Sequence, residues 1–262
     1  MSRKLIELLR ELKLPGFAAR HGELATKAEK AGWGFERYLQ ALAEAELDQR
    51  HQKRLERLLR ASKLPMEKTL ATLETARLPA PVRRMLPTLC EGSFVERAEN
   101  LLAFGLPGRG KTHLVCAIGL ELIQRGHTVH FTPTYALVQR LLAARRDLAL
   151  EKELHRLDAF DVLILDDIGY IQQDRDEMEV LFTLLAERYE RRSVVITSNL
   201  VFSQWDRIFK DPMTTAAAID RIVHHAVILE LTGPSYRAEA ARARLPMESA
   251  KQCAATITPV HR

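Results

Sequence analysis

A glycine-rich segment at residues 105–112, Gly-Leu-Pro-Gly-Arg-Gly-Lys-Thr, most constrains how this chain can fold. It follows the apolar run 101–104 and precedes a stretch with apolar residues at helical spacing. A strand that leads through such a loop into a helix directs backbone N–H groups and the helix N-terminus at one point, which suits a triphosphate. The segment therefore predicts a phosphate-binding loop, in preference to a glycine-rich turn with an incidental lysine.

The loop also predicts how a nucleotide would be held. We expect Lys111 to reach the β- and γ-phosphates and Thr112 to coordinate Mg²⁺, so ATP and Mg²⁺ are the predicted cofactors. The residues expected to contact the nucleotide are Gly105, Leu106, Pro107, Gly108, Arg109, Gly110, Lys111, Thr112 and His113.

A second apolar run, residues 161–165, ends in two carboxylates, Asp166 and Asp167. Strands of a parallel sheet are buried and apolar, and their carboxyl ends open into the ligand-binding crevice. We therefore expect Asp166 to hold Mg²⁺ through water and Asp167 to polarise the attacking water. The alternative is a strand that simply ends in an Asp-Asp turn.

Three further residues are candidates for the hydrolytic chemistry. Asn199 follows the β-rich run 193–197 and is expected to orient water against the γ-phosphate, although asparagine at a strand end is often only a turn residue. Arg221 and Arg237 could each stabilise charge on the γ-phosphate, one from a neighbouring subunit and the other within the same subunit. The alternative for each arginine is a surface ion pair.

Five short β-rich runs alternate with helical segments, at residues 100–104, 128–132, 161–165, 193–197 and 226–231. This alternation predicts an α/β fold with a five-stranded parallel sheet, preceded by a small all-helical N-terminal domain. We expect a helical DNA- or partner-binding domain at 1–64, a connector at 65–98, an ATPase domain at 99–245 and a loosely held tail at 246–262.

Positive charge is concentrated in one part of the chain. The net charge is +5, and residues 50–68 contain seven basic and two acidic side chains. On a helix, most of these basic residues fall within an arc of about 120°. This predicts sequence-independent, salt-sensitive DNA binding, with a solvated basic face as the alternative. The predicted DNA contacts are Arg50, Lys53, Arg54, Arg57, Arg60 and Lys63, with Arg140 and Arg145 in a weaker second cluster.

Other features narrow the class of protein. No run of eighteen apolar residues occurs, so we expect a cytoplasmic protein with no membrane partner. The three cysteines are not paired in spacing, which is typical of small buried residues and not of a disulfide or zinc framework. His224 and His225 are adjacent, which is not the spacing of a metal site.

Taken together, these motifs resemble the IstB family of insertion-sequence transposition helper ATPases, which are AAA+ proteins similar to the helicase loader DnaC and the initiator DnaA. The resemblance covers nearly the whole chain. It rests on the motifs at residues 55–65, 100–114, 165–170, 187–199, 220–225 and 235–237.

The resemblance implies that subunits assemble side by side as a homo-oligomer, with ATP at each boundary and Arg221 as the arginine finger. It implies that this assembly bends duplex DNA and passes it to a cognate transposase, with residues 132–137 facing the DNA. The chain departs from the family at Arg109, where threonine is common. It also departs from AAA+ proteins generally at Asp167, which replaces a glutamate and suggests slow hydrolysis. We expect the ATPase activity to be stimulated by DNA.

Two other functions remain open. A replicative helicase loader would use the same ATP site but prefer single-stranded DNA and a helicase partner. A metabolic P-loop kinase would transfer phosphate to a small molecule; this is disfavoured because Asp167, Asn199 and Arg221 form a set suited to hydrolysis by water.

Overall fold

A computed structural model describes residues 3–168, 174–200, 204–205, 219–236 and 239. The chain divides into two compact units, residues 1–62 and residues 63–262. The predicted tail at 246–262 and the candidate Arg237 lie outside the described residues. The predicted domains at 1–64, 65–98, 99–245 and 246–262 stay predictions.

The first unit consists of three helices, α1 (Arg3–Glu11), α2 (Pro15–Ala31) and α3 (Phe35–Ser62). Helix α2 begins with proline, which is suited to the first turn because it needs no backbone N–H partner there. It ends at Gly32, whose left-handed conformation (φ 61°) lets the chain leave the helix.

A buried carboxylate joins α2 to α3. Glu46, 4% exposed, accepts hydrogen bonds from the backbone N–H groups of Gly16 (2.6 Å) and Phe17 (3.4 Å), so an α3 side chain satisfies the first turn of α2. Arg50 donates from Nε to Glu46 (2.7 Å) and from its guanidinium to the carbonyl of Lys13 (3.0 Å). A β-carbon on Gly16 would lie 2.6 Å from the Cα of Glu46, so only glycine fits this approach of the two helices.

The second unit begins with short elements: a 3₁₀ turn (Thr75–Arg77), α4 (Ala80–Glu91) and α5 (Ser93–Glu96). Its sheet contains β1 (Asn100–Phe104), β2 (Val129–Pro133), β3 (Val162–Ile168), β4 (Ser193–Ser198) and β5 (Ala226–Glu230). The strands are all parallel, in the order β2-β3-β4-β1-β5. This confirms the predicted five-stranded parallel sheet and the small helical region before it.

Four longer helices connect these strands: α6 (Lys111–Gln124), α7 (Thr134–Arg146), α8 (Leu150–Asp158) and α9 (Arg175–Arg188). Strands β1 and β4 are nearly fully buried because helices cover the sheet, whereas only Leu229 of the edge strand β5 is buried. Helix α9 begins with a capping box in which the Asp174 side chain accepts from the Glu177 N–H and the Glu177 side chain accepts from the Asp174 N–H.

Strand β3 contains a bulge at its carboxyl end. Leu165 pairs with Ile196 and Ile168 pairs with Ser198, so Asp166 and Asp167 together lie opposite Thr197. Asp167 has a φ of 62°, a conformation that non-glycine residues rarely adopt. The bulge places both carboxylates at the edge of the sheet where the phosphate loop begins.

Within the described part of the chain, none of the helices is both long enough and apolar enough to cross a membrane.

Candidate nucleotide-binding and hydrolysis site

A cavity of about 420 Å³ lies at the carboxyl ends of β1, β3 and β4. Its position follows from the parallel sheet, whose strand ends converge on the phosphate loop. The described residues that line it are Lys68, Thr72, Leu73, Glu74, residues 107–113, Asp166, Asp167, Asn199 and Tyr236. Apart from Gly105 and Leu106, the predicted nucleotide contacts are therefore found together in the wall of one cavity.

The phosphate loop has the backbone conformation that its glycines predict. Gly108 and Gly110 have φ angles of 80° and 84°, and Gly110 immediately precedes α6. Gly105 has a φ of 153°, and a β-carbon there would lie 2.5 Å from the Leu231 carbonyl oxygen. The loop thus needs glycine both for its turns and for its close approach to the segment after β5.

Lys111 is directed into the loop. Its ammonium group donates to the carbonyls of Gly105 (2.6 Å) and Leu106 (3.3 Å) and to Oδ1 of Asn199 (2.5 Å). The side chain is 7% exposed, so the charge is held by these oxygens with little contact with bulk water. A buried ammonium aimed at a phosphate loop is suited to binding phosphate oxygens.

Three oxygen-bearing side chains meet beside it. Oδ1 of Asp166 accepts from the hydroxyls of Thr112 (2.8 Å) and Thr197 (2.7 Å). A hydroxyl and a carboxylate are the hard oxygen donors that Mg²⁺ prefers, and Mg²⁺ binds by few protein ligands together with substrate phosphates. The pair Thr112 and Asp166 therefore fits Mg²⁺.

The second carboxylate is held by β4. The Asp167 N–H donates to the Thr197 hydroxyl oxygen (2.7 Å), and its Oδ1 accepts from the side-chain nitrogen of Asn199 (2.8 Å). These bonds fix Asp167 in its left-handed conformation. Asn199 thus connects the carboxylate of Asp167 with the ammonium of Lys111, and all three side chains face the cavity.

Residues that precede the sheet in the chain also line the cavity. Nε2 of His113, in the first turn of α6, lies 3.1 Å from both the Thr69 carbonyl oxygen and the Thr72 hydroxyl. Leu73 is buried and Glu74 is exposed among these lining residues. The segment at 68–74 is therefore attached to the helix that follows the phosphate loop.

The residues after β5 also reach the loop. The Tyr236 N–H donates to the Gly108 carbonyl (2.9 Å), and the Arg77 guanidinium stacks 3.9 Å from the centre of the Tyr236 ring. Arg77 forms ion pairs with Glu74 (3.3 Å) and with Glu239. Burial raises the pKa of the Tyr236 hydroxyl. The Arg109 side chain donates to the Leu231 carbonyl (3.1 Å).

Of the two candidate arginines, only Arg221 is among the residues that the structure describes. Arg221 is exposed in the helical residues 219–223. It is not among the described residues that line the cavity. Arg237 lies outside the described residues, so its predicted role stays a prediction.

The predicted DNA-contacting residues occupy different environments. Lys53, Arg54, Arg57 and Arg60 are exposed on α3, and Lys63 is exposed at the start of the second unit. Arg50, by contrast, is bonded to Glu46 and helps to hold α2 against α3. Arg140 pairs with Glu153 (2.7 Å), and Arg145 pairs with Glu179 (3.2 Å), so these positive charges are partly neutralised within the protein.

Cys90 and Cys116 are buried free cysteines. Burial raises the pKa of the Cys116 thiol to about 12 and that of Cys90 to about 11, so both are neutral at physiological pH. Cys253 lies outside the described residues.

Several residues of the cavity had no role assigned from the sequence. Thr197 donates to the Asp166 carboxylate and accepts from the backbone N–H of Asp167, and its position two residues before Asn199 at a strand end was the available signal. Thr72, Glu74 and Tyr236 line the cavity from outside the loop and strands. The sequence did not indicate that they line the cavity, because only tertiary packing brings them to the site.

The fold is similar to that of solved replication proteins. A crystal structure of DnaI matches with a TM-score of 0.55 and 23% identity, over 65% of this chain and 96% of that one. A crystal structure of the DnaC helicase loader matches with a TM-score of 0.51 and 20% identity, over 58% of this chain and 89% of that one. A structure of AMPPCP-bound DnaA from Aquifex aeolicus matches with a TM-score of 0.53 and 16% identity, over 72% of this chain and 59% of that one. At these identities the likeness concerns the fold, and with the phosphate loop and paired carboxylates it defines a P-loop protein of the AAA+ class.

The sequence comparison narrows the class to a family. Residues 7–243 match the family described as IstB-like ATP binding protein, and the chain belongs to this family. A relative from Sinorhizobium fredii, named as an insertion sequence ATP-binding protein, is 45% identical over 89% of this chain and 79% of its own length. Another from Pseudomonas aeruginosa, named as an insertion sequence IS21 ATP-binding protein, is 36% identical over 88% and 87%. These matches confirm the resemblance inferred from the motifs.

Proposed function

We propose that this protein is an ATP-hydrolysing helper of transposition, which assembles with ATP on duplex DNA, bends it and recruits a cognate transposase. The observation that carries the ATPase part of the proposal is the hydrogen-bonded chain from Lys111 through Asn199 to Asp167. It joins a phosphate-binding cation to a carboxylate through a polar amide, at the end of three neighbouring strands. Family membership supports the insertion-sequence context.

In this proposal the phosphate loop binds the triphosphate through backbone N–H groups from Gly108 to Thr112, and Lys111 contacts the β- and γ-phosphates. Thr112 and Asp166 would hold Mg²⁺, which neutralises charge on the phosphates when bound. Thr197 keeps the Asp166 carboxylate oriented through its 2.7 Å hydrogen bond.

Asp167 accepts a hydrogen bond from the attacking water and polarises it, and the side chain of Asn199 orients that water. The water attacks the γ-phosphorus, the bond to the β-phosphate oxygen breaks, and ADP and phosphate are released. A short aspartate at this position places its carboxylate farther from the phosphate than a glutamate would. This supports slow turnover, which DNA binding would stimulate.

Arg221 acts on a neighbouring subunit. Its exposure and its absence from the described wall of its own cavity make the guanidinium available to a second copy of the chain. An arginine supplied in this way stabilises charge that develops in the transition state. ATP would then lie at subunit boundaries, and Arg237 would contact the γ-phosphate within its own subunit.

The exposed basic residues of α3 provide the DNA-binding face in the N-terminal domain, proposed at 1–64. Lys53, Arg54, Arg57 and Arg60 lie on consecutive turns of one helix, and a row of cations binds phosphates independently of base sequence. Lys63 continues this charge. Arg50, Arg140 and Arg145 contribute less, because each is engaged by a carboxylate.

A mixing experiment tests the shared site. Arg221→Ala should bind ATP but lose turnover, and Asp167→Asn should also bind ATP without turning it over. Mixed in equal amounts, the two variants form some boundaries with an intact Asp167 on one side and an intact Arg221 on the other. ATPase activity should therefore reappear on mixing. Full activity of Arg221→Ala alone, or no recovery on mixing, would contradict the shared site.

A DNA-binding experiment tests the partner. We would measure binding to matched duplex and single-stranded DNA, with ATP and with ADP, and record assemblies by electron microscopy. The triple variant Lys53→Ala/Arg57→Ala/Arg60→Ala should lower the salt dependence of duplex binding by about three phosphate contacts. The variant Lys4→Ala/Arg10→Ala/Lys30→Ala removes three exposed cations elsewhere in the same unit and is the matched control. Preference for single strands would instead support a helicase loader.

A further inference from the structure

A cluster of side chains that the proposed ATPase does not use lies at the other end of the sheet. Glu190, His224 and His225 are all exposed, and each offers a ligand atom within 4.8 Å of those of the other two. Glu190 belongs to the turn between α9 and β4, and the two histidines lie in the turn between residues 219–223 and β5. Two segments distant in sequence therefore supply the three donors.

The backbone on both sides of the cluster is held in place. Glu190 has a φ of 55°, the left-handed conformation of a tight turn. The His225 carbonyl accepts from the N–H of Asn100 at the start of β1 (2.7 Å), and the His224 N–H donates to the Asp220 carbonyl (2.9 Å). The donors thus project from an ordered turn, and only their side chains need to move to change the distances between them.

The side chains are already directed toward one another. Nε2 of His225 lies 3.5 Å from Oε1 of Glu190, and the two imidazole centres are 4.1 Å apart. Nδ1 of His224 lies 2.8 Å from the Tyr189 hydroxyl oxygen. With Nε2 of His224 as the ligand, Nδ1 would carry the proton and donate to the Tyr189 hydroxyl oxygen, which would fix the orientation of the ring as an outer hydrogen-bond partner does for a metal-binding histidine.

We infer that Glu190, His224 and His225 form a surface site for a divalent transition metal, with Zn²⁺ as the fitting ion. Two imidazoles and one carboxylate are a common zinc ligand set, with water in the fourth position. Zinc bonds of about 2.1 Å require tetrahedral donors about 3.4 Å apart. Exposed side chains can close the remaining distance by rotation, without a change in the backbone.

The sequence alone did not indicate this site, because adjacent histidines lack the spacing of a metal motif. Glu190 is the additional donor, and it comes from a turn 34 residues before His224. A bound metal would connect this turn with the one that follows Arg221. The site is separate from the ATP cavity, none of whose described lining residues it shares.

Zinc binding can be measured directly on the full chain. The protein is prepared without an affinity tag, stripped of metal by a chelator, and titrated with Zn²⁺ in competition with a chromophoric zinc indicator, without nucleotide or Mg²⁺. The wild type should withdraw about one equivalent more zinc than His224→Ala/His225→Ala. Glu190→Gln should weaken that equivalent by at least about tenfold, since it replaces an anionic ligand by a neutral one.

His155→Ala is the matched control. It removes an exposed histidine that lies 4.0 Å from the carboxylate of Glu151, with no third donor among the described residues, and it should bind zinc as the wild type does. Zinc should also raise the unfolding temperature of the wild type and not that of the double variant. Equal zinc uptake by the wild type and the double variant would overturn the inference. So would a wild type that leaves all the zinc on the indicator.

Discussion

The side-chain nitrogen of Asn199 donates a 2.8 Å hydrogen bond to the carboxylate of Asp167. These residues come from the ends of neighbouring strands, and Asn199 also accepts from Lys111. The Asn199 amide is therefore hydrogen-bonded both to the phosphate-binding ammonium of Lys111 and to the proposed water-polarising carboxylate of Asp167. This arrangement makes Asn199 a means of keeping the two groups in a fixed relation during hydrolysis.

Replacing Asn199 by alanine should lower the ATPase rate about 10²-fold or more, because a misplaced general base loses most of its contribution. ATP affinity should change only a few-fold, since the loop and Lys111 remain. The double variant Asn199→Ala/Asp167→Ala should be no slower than Asp167→Ala alone, because both act on one water. Single-turnover kinetics with separately measured ATP affinity would test this, and additive losses would contradict it.

At position 197 the hydroxyl group should be required, and a side chain of the same size without a hydroxyl should not replace it. Thr197→Val removes the acceptor for the half-buried Asp167 N–H and the donor to Asp166, so we expect a loss of roughly 1–3 kcal/mol in the free energy of unfolding. Mg²⁺-dependent ATP affinity should fall as well. Thr197→Ser keeps both hydrogen bonds and is the matched control. This role would be ruled out if the wild type, Thr197→Val and Thr197→Ser bound ATP with the same affinity as one another, both with and without Mg²⁺.

His113 should matter for the nucleoside part of ATP and not for its phosphates. It attaches residues 69 and 72 to α6, and Thr72 lines the cavity from outside the phosphate loop. His113→Ala should weaken ATP binding about tenfold, from the loss of about one hydrogen bond to the wall of the cavity. Inorganic tripolyphosphate should bind as before. Calorimetry with both ligands tests this, and Lys111→Ala should weaken both.

The first unit should lose stability in acid. Burial acts to raise the pKa of Glu46, but hydrogen bonds from Arg50, Gly16 and Phe17 outweigh it and place the pKa below its usual value of 4.5. The stabilisation is therefore complete above pH 4.5 and is lost as the pH falls through the lowered pKa. Glu46→Gln should weaken α2 and α3 at neutral pH, with a smaller difference from the wild type in acid. Hydrogen exchange of the α2 and α3 amides in the full chain would measure this, and a pH-independent difference would contradict it.

The motifs predicted the fold because it depends on local patterns, and five apolar runs became five strands. They also predicted that the phosphate loop, Asp166, Asp167 and Asn199 lie together, because these residues occur at strand ends that a parallel sheet brings to one edge. The roles of these residues in binding and hydrolysis stay predictions. The rest of the cavity lining was not predictable. Thr72 and Tyr236 lie far apart in the chain, and the bond between His113 and the segment at 68–74 exists only once the unit is folded.

Charge patterns predicted less than motifs did. Arg50 has the same helical phase as the exposed cations of α3, yet it is bonded to Glu46. Arg140 and Arg145 face carboxylates contributed by α8 and α9. Sequence reports the sign of a charge but not its tertiary partner, so the distinction between a structural cation and an available one came from the fold.

The bulge in β3 changes which face of the sheet each following side chain points to. In a regular strand, consecutive side chains point to opposite faces, so Asp166 and Asp167 would be divided between them. Placing two residues opposite Thr197 shifts the odd-even count by one, which lets both carboxylates face the cavity while Ile168 returns fully buried to the core. Deleting either aspartate would restore the regular count as well as remove a carboxylate. The length of this strand end is therefore as much a part of the site as its chemistry.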